Sequence, residues 1–220
     1  TELTTQAIAD FNSDGYSDLL LRNVQTGEWQ IALLGYRQVM QYIPLPVMTK
    51  ARSWEIVTAQ DMDNNGSVDI IIRNNISGSF YIYMFNGTAI VYRRSVGDIS
   101  PGGANAIEKE EQIVAISDFD GDNRPDILVR SEQYEHYRLT LMDSYGSLGA
   151  FHFDLHVPFD ELEFVAADDF TGDGLTDLIL SQDQENEEEL HFMQSVGGVP
   201  TYMGELSQGK SSTQVPQSIH

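Results

Sequence analysis

The chain has 220 residues, of which 41% are hydrophobic and 10% aromatic, so it is long enough and apolar enough to build a medium-sized folded core. Its 34 acidic and 12 basic side chains give a formal net charge of −22, which argues against nucleic acid and anionic membranes as partners, because both need clustered Lys and Arg. With no cysteine, the chain has no disulfide or thiolate metal site, and no apolar run predicts membrane insertion.

The first predicted elements are two short apolar stretches, 7–9 and 19–21, on either side of an acidic loop. The loop reads Asp-Phe-Asn-Ser-Asp-Gly-Tyr-Ser-Asp over residues 10–18. Oxygen-bearing side chains stand at positions 1, 3, 5 and 9, with a turn residue at position 6. Oxygen ligands on alternate residues before a sharp turn suit a hard cation of flexible coordination, above all Ca²⁺.

A third apolar segment follows, in which Trp29, Ile31 and Leu33 alternate with other residues. This period of two predicts a strand with one buried face, and Thr26-Gly27 supplies the hairpin turn before it. Two short strands around the loop, a third strand and a weaker fourth make one predicted unit.

The same unit recurs three more times, with loops that begin at Asp61, Asp118 and Asp169, at intervals of 51, 57 and 51 residues. We therefore expect up to four bound Ca²⁺, one per repeat. The predicted side-chain ligands, at positions 1, 3, 5 and 9 of each loop, are Asp10, Asn12, Asp14, Asp18, Asp61, Asp63, Asn65, Asp69, Asp118, Asp120, Asp122, Asp126, Asp169, Thr171, Asp173 and Asp177.

Alignment on the last Asp of each loop brings the third strands into register. Trp29, Phe80 and Tyr137 share a column in which the fourth repeat has Glu188. In that alignment Leu190 stands beside Ile31 and Phe192 beside Leu33. The acidic run 183–189 is interpreted as a solvated hairpin loop.

Four short antiparallel strands in each of four repeats predict an all-β β-propeller with four blades. The expected blades are residues 3–50, 51–106, 107–160 and 161–206, in one domain over 1–208, and 209–220 form a flexible tail. An alternative is half of a seven- or eight-bladed ring, completed by missing sequence or by a second copy in a homodimer.

The string from Ile8 to Asn23 resembles the FG-GAP/VCBS repeat, which occurs in integrin α-chain propellers, some fungal lectins and many secreted bacterial proteins. The resemblance extends over all four repeats. It implies that the loop joins the first two strands of a blade. It also implies that the backbone carbonyl at position 7 is a ligand, namely that of Tyr16, Ser67, Arg124 and Leu175.

The EF-hand is the competing Ca²⁺ motif, but it needs Glu at position 12 and flanking helices. Position 12 holds Leu21, Ile72, Val129 and Leu180, all in strand patterns, which excludes the EF-hand.

The four loops are not expected to bind Ca²⁺ equally. The third has four carboxylates and is predicted to bind most tightly, although Asn123 replaces Gly at position 6. The fourth has the neutral Thr171 at position 3, and it and the first loop are predicted to be weaker.

Arg22, Arg73 and Arg130 recur four residues after the last Asp of a loop, where the fourth repeat has Ser181. We interpret them as partners of a neighbouring blade's carbonyl or carboxylate, and anion binding is the alternative.

Trp29, Phe80 and Tyr137 are expected in the core. Tyr81, Tyr83 and His191, on the opposite face, either stack on sugars or fill the gap between blades.

The function favoured is a non-catalytic extracellular module for adhesion or recognition of a glycan or protein surface, with structural Ca²⁺. Two alternatives stay open: the scaffold of a polysaccharide-degrading enzyme, and a spacer in a larger surface protein. No nucleophile elbow or zinc-protease motif is present. The chain is expected to be a processed or excised part of a longer secreted or cell-surface protein.

Overall fold

A computed structural model of the chain describes residues 2–96, 111–131, 136–142, 148–154, 162–184 and 187–206. These residues form strands, turns and loops, with no helix among them, and therefore no helix that could span a membrane. The expected tail 209–220 lies outside the described residues.

In the described part of the chain, sixteen strands form four antiparallel sheets, and each sheet takes four strands in the order of the chain. This confirms the all-β fold of four-stranded blades. The strands of blades 1 and 2 are β1 Leu3–Ala9, β2 Asp18–Asn23, β3 Trp29–Gly35, β4 Gln38–Pro44, β5 Trp54–Gln60, β6 Asp69–Asn74, β7 Phe80–Asn86 and β8 Ala89–Val96. Those of blades 3 and 4 are β9 Glu111–Ser117, β10 Asp126–Ser131, β11 His136–Met142, β12 Leu148–Asp154, β13 Glu163–Asp168, β14 Asp177–Gln184, β15 Glu187–Val196 and β16 Val199–Glu205.

Consecutive blades pack face to face through apolar cores. In blade 2, Ile70 and Ile72 of β6 face blade 1, whereas Ile71 faces blade 3, and all three are fully buried. The run of three isoleucines thus arises because an inner strand between two cores needs apolar residues on both faces. We call the side of a blade that faces the next blade its forward face, and the opposite side its rear face.

Each first strand has a β-bulge at the same place. The antiparallel pairing skips Gln6 in β1, Val57 in β5, Val114 in β9 and Val165 in β13. A bulge turns two consecutive residues toward the same side of a sheet. In β9, Val114 and Ala115 accordingly both pack toward blade 4, while Ile113 and Ile116 pack toward blade 2.

Within the described residues, three apolar clusters join blade 1 to 2, blade 2 to 3 and blade 3 to 4. None of these clusters joins blade 4 to blade 1. The four blades are therefore arranged as in a propeller, but among the described residues the sheets do not close into a ring.

The predicted register of the fourth repeat was wrong by two residues. Ser181 pairs with Leu190, as Arg22 pairs with Trp29, so Leu190 rather than Glu188 stands in the aromatic column. Phe192 likewise takes the place of Ile31. The physical reason is a longer hairpin: strand pairing continues through Gln182, Asp183 and Gln184, so most of the acidic run 183–189 is strand rather than loop.

Candidate metal sites

Each acidic loop connects the first and second strands of its blade, and its last Asp is the first residue of the second strand. In a sheet of consecutive antiparallel strands, this end also carries the hairpin between the third and fourth strands. Contacts between neighbouring loops confirm that they lie side by side. Ser13 Oγ donates to the Gly66 carbonyl at 3.1 Å, and the Thr176 N–H donates to the Asp118 carbonyl at 3.0 Å.

The Asp at position 1 is the centre about which each loop folds. In the second loop, Asp61 Oδ2 accepts the Gly66 N–H at 2.7 Å and Oδ1 accepts the Asn65 N–H at 3.1 Å. The first and fourth loops repeat both bonds, and in the third loop Asp118 accepts from Asn123 and Gly121. These bonds hold the loop backbone in a tight curve without a metal, as Asx turns do.

Two positions in each loop take left-handed backbone. Position 6 was predicted to turn, and it has φ of 87° at Gly15 and 63° at Asn123, which Asn tolerates better than most residues. Position 4 also turns this way, and it is occupied by Ser13, Asn64, Gly121 and Gly172. The sequence analysis missed position 4, although its small and turn-forming residues were the available signal.

The Asp at position 9 is buried and ties two strands together. Asp69 Oδ2 accepts the Met62 N–H at 2.9 Å, and Oδ1 accepts the Phe85 N–H at 2.7 Å. In the other blades Asp18, Asp126 and Asp177 accept the equivalent two N–H groups at 2.8–3.2 Å. This structural role was not predicted. A carboxylate oxygen has two lone pairs, so these bonds leave it able to bind a cation.

In two loops the carboxylates converge. The oxygens of Asp61, Asp63 and Asp69 lie within 4.8 Å of one another, and so do those of Asp118, Asp120 and Asp126. These are the predicted ligands at positions 1, 3 and 9. The first and fourth loops have a neutral residue, Asn12 or Thr171, at position 3 and do not form such a triplet of acids.

The residues at positions 5 and 7 lie beside these clusters. The side-chain oxygen at position 5 accepts the N–H of position 7 in all four loops, for example from Ser67 to Asn65 at 2.7 Å. Asp122 also forms an ion pair with Arg124 at 2.5 Å, so part of its charge is already balanced. This ion pair offsets part of the calcium affinity that the fourth carboxylate was predicted to give the third loop.

Burial acts strongly on the clustered acids. Burial raises the pKa of Asp69 to about 7 and that of Asp126 to about 7, although the backbone donors oppose the shift. Burial also raises the pKa of Asp63 and of Asp120, with the neighbouring carboxylates adding to it. In the exposed fourth loop, the Gly174 N–H lowers the pKa of Asp169. A cation between the clustered oxygens would favour their ionised form.

The residues fit Ca²⁺ by the chemistry of the donors: all are oxygens, three are carboxylates, and they converge on one point in a loop already shaped by its backbone. When bound, the ion would supply positive charge that offsets the repulsion among the acids. Asp61, Asp63 and Asp69 would hold it in blade 2, and Asp118, Asp120 and Asp126 in blade 3.

Arg22 and Arg130 contact the next blade, as interpreted from the sequence. Arg22 donates to the Trp54 carbonyl at the start of β5 at 2.6 Å, and to the Ala51 carbonyl just before that strand at 2.7 Å. Arg130 lies 3.7 Å from Glu163 of blade 4. The contact of Arg73 differs, because it lies 5.2 Å from the centre of the Phe80 ring in its own blade.

The aromatic columns belong to the packing between blades. Trp29, Phe80 and Tyr137 are at most 2% exposed. On the opposite face, Tyr83 is fully buried and Tyr81 stacks on Trp54 with ring centroids 4.5 Å apart. His191 is also fully buried, so of the two alternatives the structure favours filling the gap between blades.

Comparison with known families agrees with these loops. Residues 61–129 match the model of the FG-GAP-like repeat, a segment that begins at the second acidic loop and ends in β10 beyond the third. A search of curated proteins finds no match to the chain.

Proposed function

We propose that this chain, whose residues 61–129 match the FG-GAP-like repeat, is a non-catalytic recognition module whose blades are stabilised by Ca²⁺ and which binds a glycan or a protein surface outside the cell. Repeats of this family are typically non-catalytic, which supports binding rather than turnover. The observation that carries the proposal is the pair of carboxylate triplets at equivalent positions of two neighbouring blades.

The proposed role of Ca²⁺ is structural. The position-9 aspartates belong both to the triplets and to the hydrogen bonds that join the acidic loop to the third strand. An ion at the triplet would therefore stabilise the contacts that hold a blade together. Ion binding that depends on the folded loop contributes directly to folding free energy.

The proposed location outside the cell follows from the ligand count. Each triplet has three carboxylates and no bidentate Glu at position 12, so its affinity should be modest. Sites in extracellular modules bind Ca²⁺ with Kd of about 10⁻⁴ to 10⁻³ M, a range that extracellular Ca²⁺ fills and cytosolic Ca²⁺ does not.

The proposed recognition surface lies at the loop end of blade 1. Tyr16, at position 7 of the first loop, is 51% exposed, and Tyr36, in the hairpin between β3 and β4, is 79% exposed. Both segments lie at the same end of the sheet. Exposed tyrosines offer a flat apolar face and a hydroxyl, which suits stacking on sugar rings and binding to protein surfaces.

A glycan array, with a panel of extracellular proteins beside it, tests this proposal in Ca²⁺ and in chelator. Binding should appear in Ca²⁺ and weaken in Tyr16→Ala and Tyr36→Ala. The matched control is Tyr42→Ala, which removes a 52% exposed tyrosine from the outer strand β4 and should leave binding unchanged. Absence of binding to both panels, or equal losses in all three variants, would contradict the proposed surface.

A further inference from the structure

The forward face of blade 4 has the residues of an interface between blades but no blade against it in the described structure. At position 2 of the acidic loop, Phe11, Met62 and Phe119 are fully buried against the next blade. The equivalent residue of blade 4, Phe170, is 45% exposed. Blade 4 therefore presents the same apolar residue with nothing to cover it.

Apolar residues on the strands of this face are likewise more exposed than their equivalents in the other blades. Val165 occupies the bulge position of Val57 and Val114, which pack toward the next blade, yet it is 46% exposed. Ile179, Leu190 and Phe192 are partly exposed. By strand pairing they stand where blade 1 has Leu20, Trp29 and Ile31, all at most 2% exposed. The corrected register of blade 4 thus completes an apolar forward face.

The rear face of blade 1 is the complementary surface. Ile8 is 65% exposed, whereas its equivalent in blade 2, Ala59, packs in the core between blades 1 and 2. Leu19 is partly exposed, whereas its equivalents in the other blades are fully buried against the preceding blade. Those equivalents are Ile70, Ile127 and Leu178.

We propose that these two faces pack on each other between two copies of this chain, so that blade 4 of each copy contacts blade 1 of the other. The two junctions are equivalent, and the dimer is a closed ring of eight blades. Heterologous contacts produce rings when the rotation closes. Propellers typically have four to eight blades, so two copies reach the upper end of that range and three would exceed it.

The interfaces between blades within the chain support a second copy as the partner that covers these two faces. The rings of Phe11 and Phe85 lie 6.4 Å apart across the junction of blades 1 and 2. By register, Phe170 of one copy and Leu34 of the other are the equivalent pair. Leu34 corresponds to Phe85 because each donates its N–H to Oδ1 of the position-9 Asp in its blade. The two faces of one chain thus present an apolar pair, Phe170 and Leu34, equivalent to the pair that Phe11 and Phe85 form between blades 1 and 2.

The charge of the chain opposes this association in a measurable way. Each copy has a formal charge of −22, so two copies repel at low ionic strength. Salt screens that repulsion, whereas it leaves an apolar junction intact. The dimer should therefore strengthen as salt is raised, which is the opposite of an association held by surface ion pairs.

Light scattering on the intact chain tests the proposal with a matched pair of variants. The wild-type chain should have twice the mass of one 24.6 kDa chain, and Val165→Asp should have the mass of one. Val91→Asp, in the outer strand of blade 2, changes a 62% exposed valine away from both faces and should remain a dimer. A wild-type monomer at every concentration and salt level, or a dimeric Val165→Asp, would overturn the proposal.

Cross-linking tests the same junction without depending on loss of assembly. The chain has no cysteine, so Leu34→Cys and Phe170→Cys each carry a single thiol. A short bis-maleimide should join the two variants when they are mixed and should join neither variant to itself. Linkage of one variant to itself, or linkage within a single chain of the double variant, would overturn the two-copy ring. Neither readout requires Ca²⁺ binding, so the proposed calcium role can fail independently.

Discussion

Asp69 and Phe85 are joined by a 2.7 Å hydrogen bond, in which the buried carboxylate accepts the Phe85 N–H of the third strand. The other oxygen of Asp69 accepts the N–H of Met62 in the acidic loop. A residue predicted only as a metal ligand therefore also holds the sheet. The same pair of bonds in every blade explains why position 9 is Asp in all four loops.

Asp69→Ala should destabilise the chain even without Ca²⁺, because it leaves two buried N–H groups without an acceptor. Each such group costs about 1–3 kcal/mol of unfolding free energy. Asp69→Asn keeps one acceptor oxygen and should cost less. Urea unfolding in chelator measures both, and Asp14→Ala, in the exposed part of the first loop, is the control. Equal stability of Asp69→Ala and Asp14→Ala would contradict this role.

Without Ca²⁺, stability should fall as pH rises from about 4 to about 7. Burial raises the pKa of Asp69 and Asp126 from 3.8 to about 7, so in this window the folded chain binds more protons than the unfolded chain. Unfolding free energy then decreases with pH. With saturating Ca²⁺ the slope should flatten, because the cation favours the ionised carboxylates.

Thermal unfolding at several pH values, in chelator and in Ca²⁺, measures this dependence. The double variant Asp69→Asn with Asp126→Asn separates these two residues from the general repulsion of a chain of charge −22. Its slope in chelator should be shallower than that of the wild type. A rise in stability from pH 5 to pH 7 in chelator would show that the two aspartates are already ionised in the folded chain.

Thr171→Asp should create a third triplet of carboxylates, in the fourth loop. Calcium affinity rises with the number of charged ligands, so we expect an increase of about tenfold at that site. Calorimetric titration should show the site filling earlier, and Thr201→Asp, at an exposed position of β16, should not change the titration. The same gain from both substitutions would mean that general negative charge, not the loop, controls affinity.

Arg22→Met should destabilise the contact between blades 1 and 2 and leave calcium affinity unchanged. It leaves the Trp54 and Ala51 carbonyls without their donor, at about 1–3 kcal/mol for the buried site. Arg52→Met is the matched control, since Arg52 is exposed and donates to the Gln25 carbonyl at 3.1 Å. A change in calcium affinity in Arg22→Met would contradict a purely architectural role.

The sequence was sufficient to predict the blades because two local patterns agree. Alternating apolar residues mark the strands, and the acidic loop marks where the first strand turns into the second. It was not sufficient for contacts between residues far apart in the chain. Nothing local indicates that Asp18 accepts the Leu34 N–H, and alignment without gaps placed Glu188 where strand pairing places Leu190.

Left-handed backbone was predicted at position 6 of the loops and missed at position 4. Gly at position 6 indicated a left-handed turn in three loops, and Asn123 replaces it in the third loop. Position 4 holds Ser, Asn or Gly, whose turn-forming character was a weaker signal for left-handed backbone because these residues are common throughout loops. Convergence of three carboxylates in only two loops follows directly from the neutral Asn12 and Thr171 in the others.

Thermal unfolding in Ca²⁺ and in chelator, with Mg²⁺ as the control ion, tests the calcium account most directly. Two sites filled at 100-fold excess over Kd would add roughly 5 kcal/mol, which corresponds to a rise in Tm on the order of 10–20 °C for a chain of this size. We predict that rise in Ca²⁺, and a smaller one in the variant Asp63→Asn with Asp120→Asn. Identical Tm values in Ca²⁺ and chelator would show that the acidic loops are turns that need no metal, and would contradict the account.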